Sequence, residues 1–313
     1  MSIFLNIHNP IKGLFLLALA IGIGSGCDPY TQDIYTEQVV VESYLTANNP
    51  LTQVRLSTTG DANEVYSFER FALRGAQVMI WVLKPNSGEK DYRITYEESI
   101  PGVYQPTEMH VVQPGYTYQL EVFHPEYPEV EAFTNIPASF QIINPIPDTL
   151  YYQSTEQLTL ELASAVAKQG QNYYIINTVA EQALEELLTP FYLEFVAYEE
   201  EEEKRQSLSE LQINSSGILS EGNFNRNEQG NLEIRYPWLA VAYFGVNDII
   251  PSLIDQNLYD YIRSESVQLG GSTLSPGEIQ NVITPIVGGV GIFGSMSRDT
   301  ARTFILPLEF EVP

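Results

Sequence analysis

Short runs of alternating apolar and polar residues, separated by turn-forming residues, dominate the chain between residues 39 and 137. Val78, Ile80 and Val82 recur at every second position, which places them on one face of a β-strand. Dipeptides such as Pro101-Gly102 separate the runs. The pattern predicts strands at 39–45, 53–59, 77–84, 91–98, 103–108, 117–124 and 130–136. Strands of this length and spacing indicate an N-terminal immunoglobulin- or transthyretin-like β-sandwich over 39–137.

The pattern after residue 137 is less regular and mixes strand-like with helix-like spacing. Apolar residues at helical spacing predict a helix over 180–188, which Pro190 ends, and a second helix over 255–269. Strands are predicted at 156–162, 172–178, 191–198, 232–246, 288–295 and 303–311. These elements predict a second, antiparallel β-rich domain over 138–313 with one or two short helices. The fold class is therefore mainly β.

The N-terminus has the features of an export signal. Lys12 precedes an apolar run at 13–23, and small residues then lead to Cys27. The apolar run is too short for a transmembrane helix, which needs roughly 20 residues. Small residues before the single cysteine resemble a lipobox, in which the thiol is acylated before the chain is cut. We predict a signal peptide at 1–26, lipidation of Cys27 and a lipidated tether at 27–38. An ordinary signal peptide or an uncleaved anchor is the alternative.

The chain is strongly acidic, with 15 Lys and Arg against 40 Asp and Glu and a net charge of −25 at pH 7. Such a surface repels phosphate backbones, which proteins bind through Lys and Arg, so nucleic acid is an unfavourable partner. The charge also disfavours unaided binding to an anionic membrane and favours cations or basic partners. Because the one cysteine is assigned to lipid, no intramolecular disulfide is predicted and stability must come from core burial.

Three motifs bear on cofactor or metal binding, and each has a simpler structural interpretation. Residues 289–294 fit G-x-G-x-x-G, but β-like residues follow where a dinucleotide site needs a helix, so a glycine-relaxed strand is favoured. His110 and His124 do not belong to a known zinc motif. The acidic run 199–203 has neighbouring carboxylates that point apart, which favours a solvated loop or helix end over a cation site. We predict no metal and no cofactor.

The sequence indicates no catalytic residues. It lacks a G-x-S-x-G motif, and a Ser-His-Asp triad would need His110 or His124. Glycoside hydrolysis needs only two carboxylates at a set separation, and an acidic chain supplies such pairs in any fold. An envelope hydrolase acting on glycans or peptides therefore stays open as an alternative to a non-enzymatic protein.

Adjacent aromatic residues are the main candidates for binding. Neighbours in a strand face opposite sides of the sheet, so one member of each aromatic pair is expected at the surface or at an interface. Exposed aromatic side chains anchor protein partners or stack on sugars. Packing in the core or on the sheet surface is the alternative. The candidate ligand- or partner-binding residues are Trp238, Tyr243, Tyr151 and Tyr173.

Short motifs in a fixed order carry a resemblance to one family of bacterial lipoproteins. After the lipobox come VVVESYL at 39–45, VRLS at 54–57, GAQV at 75–78, GVY at 102–104, PGYTYQL at 114–120, YDY at 259–261 and GGVGIFG at 288–294. Together they resemble an uncharacterised family of Bacteroidetes-type outer-membrane lipoproteins, a domain of unknown function whose members are typically encoded beside TonB-dependent receptors. The resemblance spans nearly the whole chain after the signal peptide.

The resemblance implies a lipid-anchored outer-membrane protein, facing the surface or the periplasm, that assists a TonB-dependent receptor in nutrient uptake without catalysis. The implied partners are the membrane, through the N-terminal lipid, the TonB-dependent receptor and a small nutrient ligand, with no nucleic acid. A structural or adhesive surface lipoprotein is a further alternative beside the envelope hydrolase.

Overall fold

The structure is a computed structural model that describes residues 35–61, 63–85, 87–163, 171–269 and 282–308. The predicted signal peptide at 1–26, the lipidation site Cys27 and the tether up to residue 34 lie outside the described residues. The described residues from Gln38 onward form one compact unit. Within the described ranges, no helix combines the length and the apolar character that crossing a membrane requires.

The fold is mainly β, as predicted, with 42% of residues in strands and 17% in helices. All the strands predicted between residues 39 and 137 are confirmed, with bounds that differ by a few residues. They are β1 (Val39–Thr46), β2 (Val54–Thr58), β3 (Gln77–Leu83), β4 (Lys90–Ile100), β5 (Val103–Pro106), β6 (Thr117–Phe123) and β7 (Val130–Asn135). A four-residue helix, α1 (Phe68–Phe71), also lies in this part and has no counterpart in the alternation of the sequence.

The later part of the chain contains strands of more varied length, from two to ten residues, and longer helices. The strands are β8 (Thr149–Tyr151), β9 (Thr159–Leu162), β10 (Tyr173–Ala180), β11 (Ile213–Ser215), β12 (Leu219–Ser220), β13 (Asn225–Arg226), β14 (Leu232–Arg235), β15 (Gly245–Ile254), β16 (Ile286–Val287), β17 (Val290–Arg298) and β18 (Ala301–Leu306). The helices are α2 (Pro190–Val196), α3 (Glu201–Leu211) and α4 (Gln256–Leu269). Helix α4 confirms the helix predicted over 255–269, and three helices stand here where one or two were expected.

Two local predictions near residue 190 are wrong. The segment predicted as a helix over 180–188 is extended and ends in a 3-10 turn at Glu185–Leu187, and the strand predicted over 191–198 is helix α2. Tertiary pairing explains the first error, because Ala180 is held in β10 against Asn247 of β15. Proline explains the second: its fixed φ suits the first turn of a helix, so Pro190 begins α2 rather than ending an earlier helix.

The apolar stretch predicted as a strand over 232–246 is interrupted. Strand β14 ends at Arg235, and a 3-10 turn at Trp238–Ala240 precedes β15. Pro237 stands at the break, where it has no backbone N–H to donate to a sheet ladder. The acidic run 199–203 enters the first turn of α3, so its interpretation as a solvated helix end is confirmed. Carboxylates at that position complement the helix dipole.

Within the described residues the strands form one curled sheet of fifteen strands and a second sheet of three. The main path of the large sheet is β11-β10-β15-β17-β1-β2-β5-β4-β3-β6-β7-β16, with β12, β18 and β8 attached beside it, and the small sheet has the order β13-β14-β9. Most neighbours are antiparallel, but β1 pairs with β17 and β8 with β18 in parallel. Strand β17 therefore returns late in the chain to complete the sheet begun by β1.

Two large hydrophobic cores lie along this sheet. The first is built mainly from β1–β7 and includes Phe293 of β17, which is fully buried there. The second is built from later strands and includes Leu160, Tyr174 and Ile249. The first core ends at Ile136 in the N-terminal part, and the second begins at Phe140. Because β16 and β17 contribute to the first core, the two parts of the chain share structure across residue 137.

The glycine-rich motif at 288–294 is a strand in close contact with another backbone. Gly291 pairs with Val41 of β1 and has a φ of +107°, and a Cβ there would lie 2.1 Å from the Val41 carbonyl oxygen. Only glycine fits such an approach without strain. The motif continues as β17 and is followed by β18, with no helix after it among the described residues, which supports the prediction of a glycine-relaxed strand rather than a phosphate loop.

A buried carboxylate joins α4 to both parts of the sheet. Asp255 accepts a hydrogen bond from the backbone N–H of Leu258 at 2.9 Å and so caps the start of α4. Its other oxygen accepts from the hydroxyl of Thr134 on β7 at 2.6 Å. Burial raises the pKa of Asp255 to about 6, against hydrogen bonds that lower it.

Candidate functional site

A cleft of about 500 Å³ lies between the second core and the helical region around α2. Its walls come from β10, β11, β12 and β14, from the 3-10 turn at Trp238–Ala240 and from α2. The lining residues are Ile176, Tyr192, Asn214, Ser215, Ser216, Leu219, Phe224, Ile234, Arg235, Tyr236, Pro237, Leu239 and Ala240. Most of these side chains are apolar or aromatic, and a small number are polar, which is the usual composition of a ligand pocket.

Tyr192 and Asn214 form the polar corner of this cleft. The Tyr192 hydroxyl donates to the carbonyl oxygen of Leu239 at 2.8 Å and accepts from Asn214 Nδ2 at 2.7 Å. Asn214 Nδ2 also donates to the carbonyl oxygen of Ala240 at 3.1 Å. Because Nδ2 of Asn214 faces these acceptors, the amide oxygen of Asn214 points away from them. The bonds tie α2, β11 and the 3-10 turn into one wall.

Ionisation in the cleft is limited. Burial raises the pKa of Tyr236 to about 12, and its hydroxyl is hydrogen-bonded to Thr178. Burial also raises the pKa of Tyr192. Both phenols are therefore neutral at physiological pH, and among the described lining residues Arg235 alone carries a charge. Its exposed guanidinium lies 3.7 Å from Glu233, a distance at which a surface ion pair contributes little.

Comparison with known proteins gives a family for this architecture. A family model described as a domain of unknown function, DUF4249, matches residues 27–302. The chain belongs to the DUF4249 family. This membership confirms the predicted relation to an uncharacterised family. None of the curated proteins matches the chain.

Solved structures give only distant matches to this DUF4249 protein. Fibronectin(III)-like modules of Clostridium thermocellum CbhA are 9% identical over 88% of this chain and 98% of that chain, with a TM-score of 0.22. Trypsin-activated alpha-2-macroglobulin from Escherichia coli is 10% identical over 71% of this chain and 15% of that chain, with a TM-score of 0.21. Three N-terminal domains of the bacteriophage RB49 outer capsid protein Hoc are 9% identical over 87% and 71%, with a TM-score of 0.22. Similarity at this level supports no argument about function.

Two of the four aromatic residues predicted to bind lie in the interior of the DUF4249 fold or against it. Tyr243 is fully buried, its hydroxyl donates to the carbonyl oxygen of Leu208 at 2.7 Å, and burial raises its pKa to about 12. Trp238 is half-buried and packs edge-on against Tyr152, with ring centroids 5.5 Å apart. Trp238 precedes the cleft residue Leu239, so it supports the wall rather than lining it.

The other two aromatic candidates lie elsewhere on the surface. Tyr173 stacks on Tyr259 of α4 with ring centroids 3.9 Å apart, and the hydrogen bond to Tyr259 raises its pKa. Tyr151 on β8 is 49% exposed and is the most accessible of the four. None of the four lines the cleft. Their role in binding remains a prediction.

The histidines make local hydrogen bonds instead of sharing a site. His110 Nε2 is hydrogen-bonded to the Tyr118 hydroxyl at 2.9 Å, and burial lowers the pKa of His110. His124 Nδ1 accepts from the backbone N–H of Glu126 at 3.2 Å. Over the part of the chain that the structure describes, no group of three or more His, Cys, Asp or Glu side chains is placed to hold a metal ion.

Tyr192 and Asn214, the residues that shape the cleft, are absent from the sequence-based candidates. The apolar pattern predicts a strand around Tyr192, whereas this residue lies on helix α2 beside the 3-10 turn. Thr189-Pro190 was the available signal, because Thr before Pro is typical of a helix start. For Asn214 the signal was weaker, since contact with residues 239 and 240 depends on tertiary packing.

Proposed function

We propose that this DUF4249 protein is a non-catalytic outer-membrane lipoprotein that binds a small nutrient ligand and assists a TonB-dependent receptor in its uptake. The observation that carries the proposal is the largely apolar cleft of about 500 Å³ beside α2. Concave sites of this size, with apolar walls and few polar groups, commonly bind small molecules.

The chemistry of the lining favours binding over catalysis. The hydroxyls of Tyr192 and Tyr236 are hydrogen-bonded within the protein, and both phenols are neutral at physiological pH. They define the shape of the cleft and offer no base for proton transfer. Apolar contact then supplies most of the affinity, while Arg235 is available to a polar or anionic part of the ligand.

The predicted anchor places such a binding protein at a membrane. Each buried lipid CH₂ contributes about 0.8 kcal/mol, and stable anchoring needs two chains or an equivalent second signal. Acylation of Cys27 supplies this anchor without a spanning helix. The acidic surface, with a net charge of −25, does not bind anionic lipid by itself, so the lipid determines where the protein resides.

Co-purification tests the receptor partnership. The full-length protein is extracted from native membranes in mild detergent at native expression, and its partners are identified by mass spectrometry. We expect a TonB-dependent barrel in stoichiometric amount. Repeated recovery of the protein without any such receptor contradicts the proposal.

Cys27→Ala tests the anchor. We expect loss of fatty-acid labelling and release from the membrane fraction into the soluble envelope fraction, because the acyl chains provide the membrane affinity. Unchanged retention in the membrane would show that another anchor acts.

Native mass spectrometry tests the cleft directly. Lipid-free protein produced without residues 1–27 is equilibrated with the small molecules of the growth medium, and we look for a retained mass below 1 kDa. Tyr192→Ala should lose that mass because it removes one wall, whereas Tyr151→Ala, outside the cleft, should keep it. Equal retention by both variants would place the ligand elsewhere.

A further inference from the structure

Helix α2 has an unusual distribution of apolar side chains. Val196 is buried and Tyr192 is half-buried against the small core beneath the helix. Phe191 and Phe195, four residues apart on the other side, are 51% and 63% exposed. Tyr198, two residues beyond the end of α2, is 96% exposed. Phe191 and Phe195 share one helix face because they are four residues apart, and Tyr198 adds an exposed aromatic ring just beyond the end of α2.

This exposed face has a cost in water that contacts within the described residues, such as the edge-on contact of Phe191 with Tyr192, offset only in part. A Phe side chain gains about 1.5–3 kcal/mol when it leaves water, and neither Phe191 nor Phe195 realises this in full. The helix is also rigidly held, since Tyr192 is bonded to Leu239 and Asn214 on the cleft side. Contiguous aromatic surface on a fixed element is typical of a protein interface.

Negative charge is concentrated in the segment that contains and follows these aromatic side chains. Residues 194–205 contain six carboxylates, at Glu194 and 199–203, against the two cations Lys204 and Arg205. Lys204 is turned away, because its Nζ lies 3.1 Å from Glu185 and its side chain is largely covered. Arg205 Nε bonds back to the carbonyl oxygen of Glu201. The exposed carboxylates at 200–203 thus follow the aromatic side chains closely in the chain.

Charge decides among the possible occupants of this surface. A second copy of the chain carries the same net charge of −25 and is repelled. Anionic lipid headgroups are repelled by the same carboxylates. A protein surface with an apolar recess surrounded by Lys and Arg satisfies both features, because aromatic rings fill the recess while opposite charges meet at its rim.

We infer that Phe191, Phe195 and Tyr198, with the carboxylates at 200–203, form the surface that docks on a basic, apolar-centred face of the TonB-dependent receptor. This inference rests on the proposed function, which supplies the receptor. It adds the location and the chemistry of the contact. The docking surface adjoins the cleft, since the ring of Phe191 lies 5.0 Å from that of Tyr192, a lining residue.

Photo-crosslinking in living cells tests the docking surface. A benzophenone analogue of phenylalanine replaces Phe195 in the full-length lipidated protein, and a matched variant carries it at Val65, which is 84% exposed and distant in sequence. We expect a receptor adduct from position 195 and none from position 65. Phe195→Asp should lower receptor co-purification about tenfold or more, as loss of an aromatic hot spot does. Glu202→Gln should lower it severalfold at low salt and little at high salt.

The outcomes separate the two proposals. A receptor adduct from position 195, weakened by Glu202→Gln, supports both. A receptor adduct from position 65 but not from 195 overturns the docking surface and leaves the receptor partnership intact. An adduct at 195 with a second copy of the chain or with lipid also overturns the docking surface. Absence of a receptor adduct from both positions, together with its absence from co-purification, overturns both proposals.

Discussion

Strands β3 and β6 and helix α2 each carry large apolar side chains, but the two regions place them in opposite environments. In the strands, Ile80 and Leu120 are fully buried within the first core. On α2, Phe191 and Phe195 face outward and remain more than half exposed. The first region uses its apolar residues to stabilise the fold. The second retains apolar surface that is available to a ligand or a partner.

The difference follows from how the chain continues around each region. Strand β3 pairs along both edges, with β4 and β6, and the face that carries Val78, Ile80 and Val82 is covered by the first core. Helix α2 is two turns long and contacts the fold through one side. A helix of that length gains most of its stability from packing, and here the packing covers Tyr192 and Val196 alone. The packed apolar residues and the exposed ones thus lie in different parts of one compact unit.

Gly291→Ala is expected to have the largest effect, because it breaks the parallel contact that joins β17 to β1. A Cβ at this position would lie 2.1 Å from the Val41 carbonyl oxygen, and the φ of +107° is strained for alanine. Strain and overpacking together predict a loss of about 4 kcal/mol in the free energy of unfolding, measured by urea denaturation. Gly230→Ala is the control, since its φ is +84° but nothing lies within 4 Å, and about 1 kcal/mol is expected. Equal losses of unfolding free energy in the two variants would show that β17 can move away from Val41 at little cost.

Leu120→Ala and Leu193→Ala compare the two regions with the same substitution. Leu120 is fully buried in the first core and should lose about 3 kcal/mol of unfolding free energy through lost burial and a residual cavity. Leu193 on α2 is 45% exposed and should change it by less than about 0.5 kcal/mol. The urea midpoints of the two variants provide the measurement. A loss above about 2 kcal/mol for Leu193→Ala would mean that α2 is packed more tightly than its exposure indicates.

Asp255→Asn tests the buried carboxylate that links β7, beside the first core, to the start of α4. Burial raises the pKa of Asp255 from 3.8 to about 6, so ionisation destabilises the folded state above pH 6 by up to about 3 kcal/mol. This cost of ionisation declines as the pH falls from 6 to 4. The Asp255→Asn variant does not have it, because asparagine does not ionise. We therefore expect the wild type to gain stability relative to Asp255→Asn between pH 7 and pH 4 in urea unfolding. A difference that is independent of pH would refute the buried ionisation.

Tyr192→Phe should have the smallest effect of the four. It removes the hydroxyl that donates to Leu239 and accepts from Asn214, while Asn214 keeps its contact with Ala240. The expected loss is about 1 kcal/mol of unfolding free energy. Tyr151→Phe, at an exposed position on β8, should change nothing measurable in the same thermal or urea experiment. Indistinguishable variants would mean that the polar corner does not hold the cleft wall.

The local pattern of apolar and polar residues was sufficient to predict the strands in which buried and exposed residues alternate. Strands β1–β7 were predicted because residues such as Val39 and Val41 point into the core while their neighbours point outward. Helix α4 was predicted from the helical spacing of its apolar residues. In the structure these residues pack on β17, where Gly294 leaves room for Leu258. In both cases the spacing of apolar residues matches the face that the tertiary structure covers.

The same reasoning failed around α2 because the apolar residues there do not report a buried face. Phe191 and Phe195 suggested a strand, although the helix leaves them in solvent. The cleft was equally inaccessible, since Tyr192, Asn214 and Leu239 are separated by more than twenty residues from one to the next. Their hydrogen bonds exist only after β10, β11 and the 3-10 turn have come together.

The sequence by itself determined the mainly β class, the seven N-terminal strands, helix α4 and the nature of the glycine-rich segment, because each depends on local spacing or on the volume of one residue. Tertiary structure alone decided that β17 returns to pair with β1, that Asp255 is buried against Thr134, and that a cleft opens beside α2. These features join residues far apart in the chain, and their energies come from contacts that no local window contains. Lipidation of Cys27 remains a prediction from the sequence. The outward position of Phe191 and Phe195 on α2 is a finding from the structure.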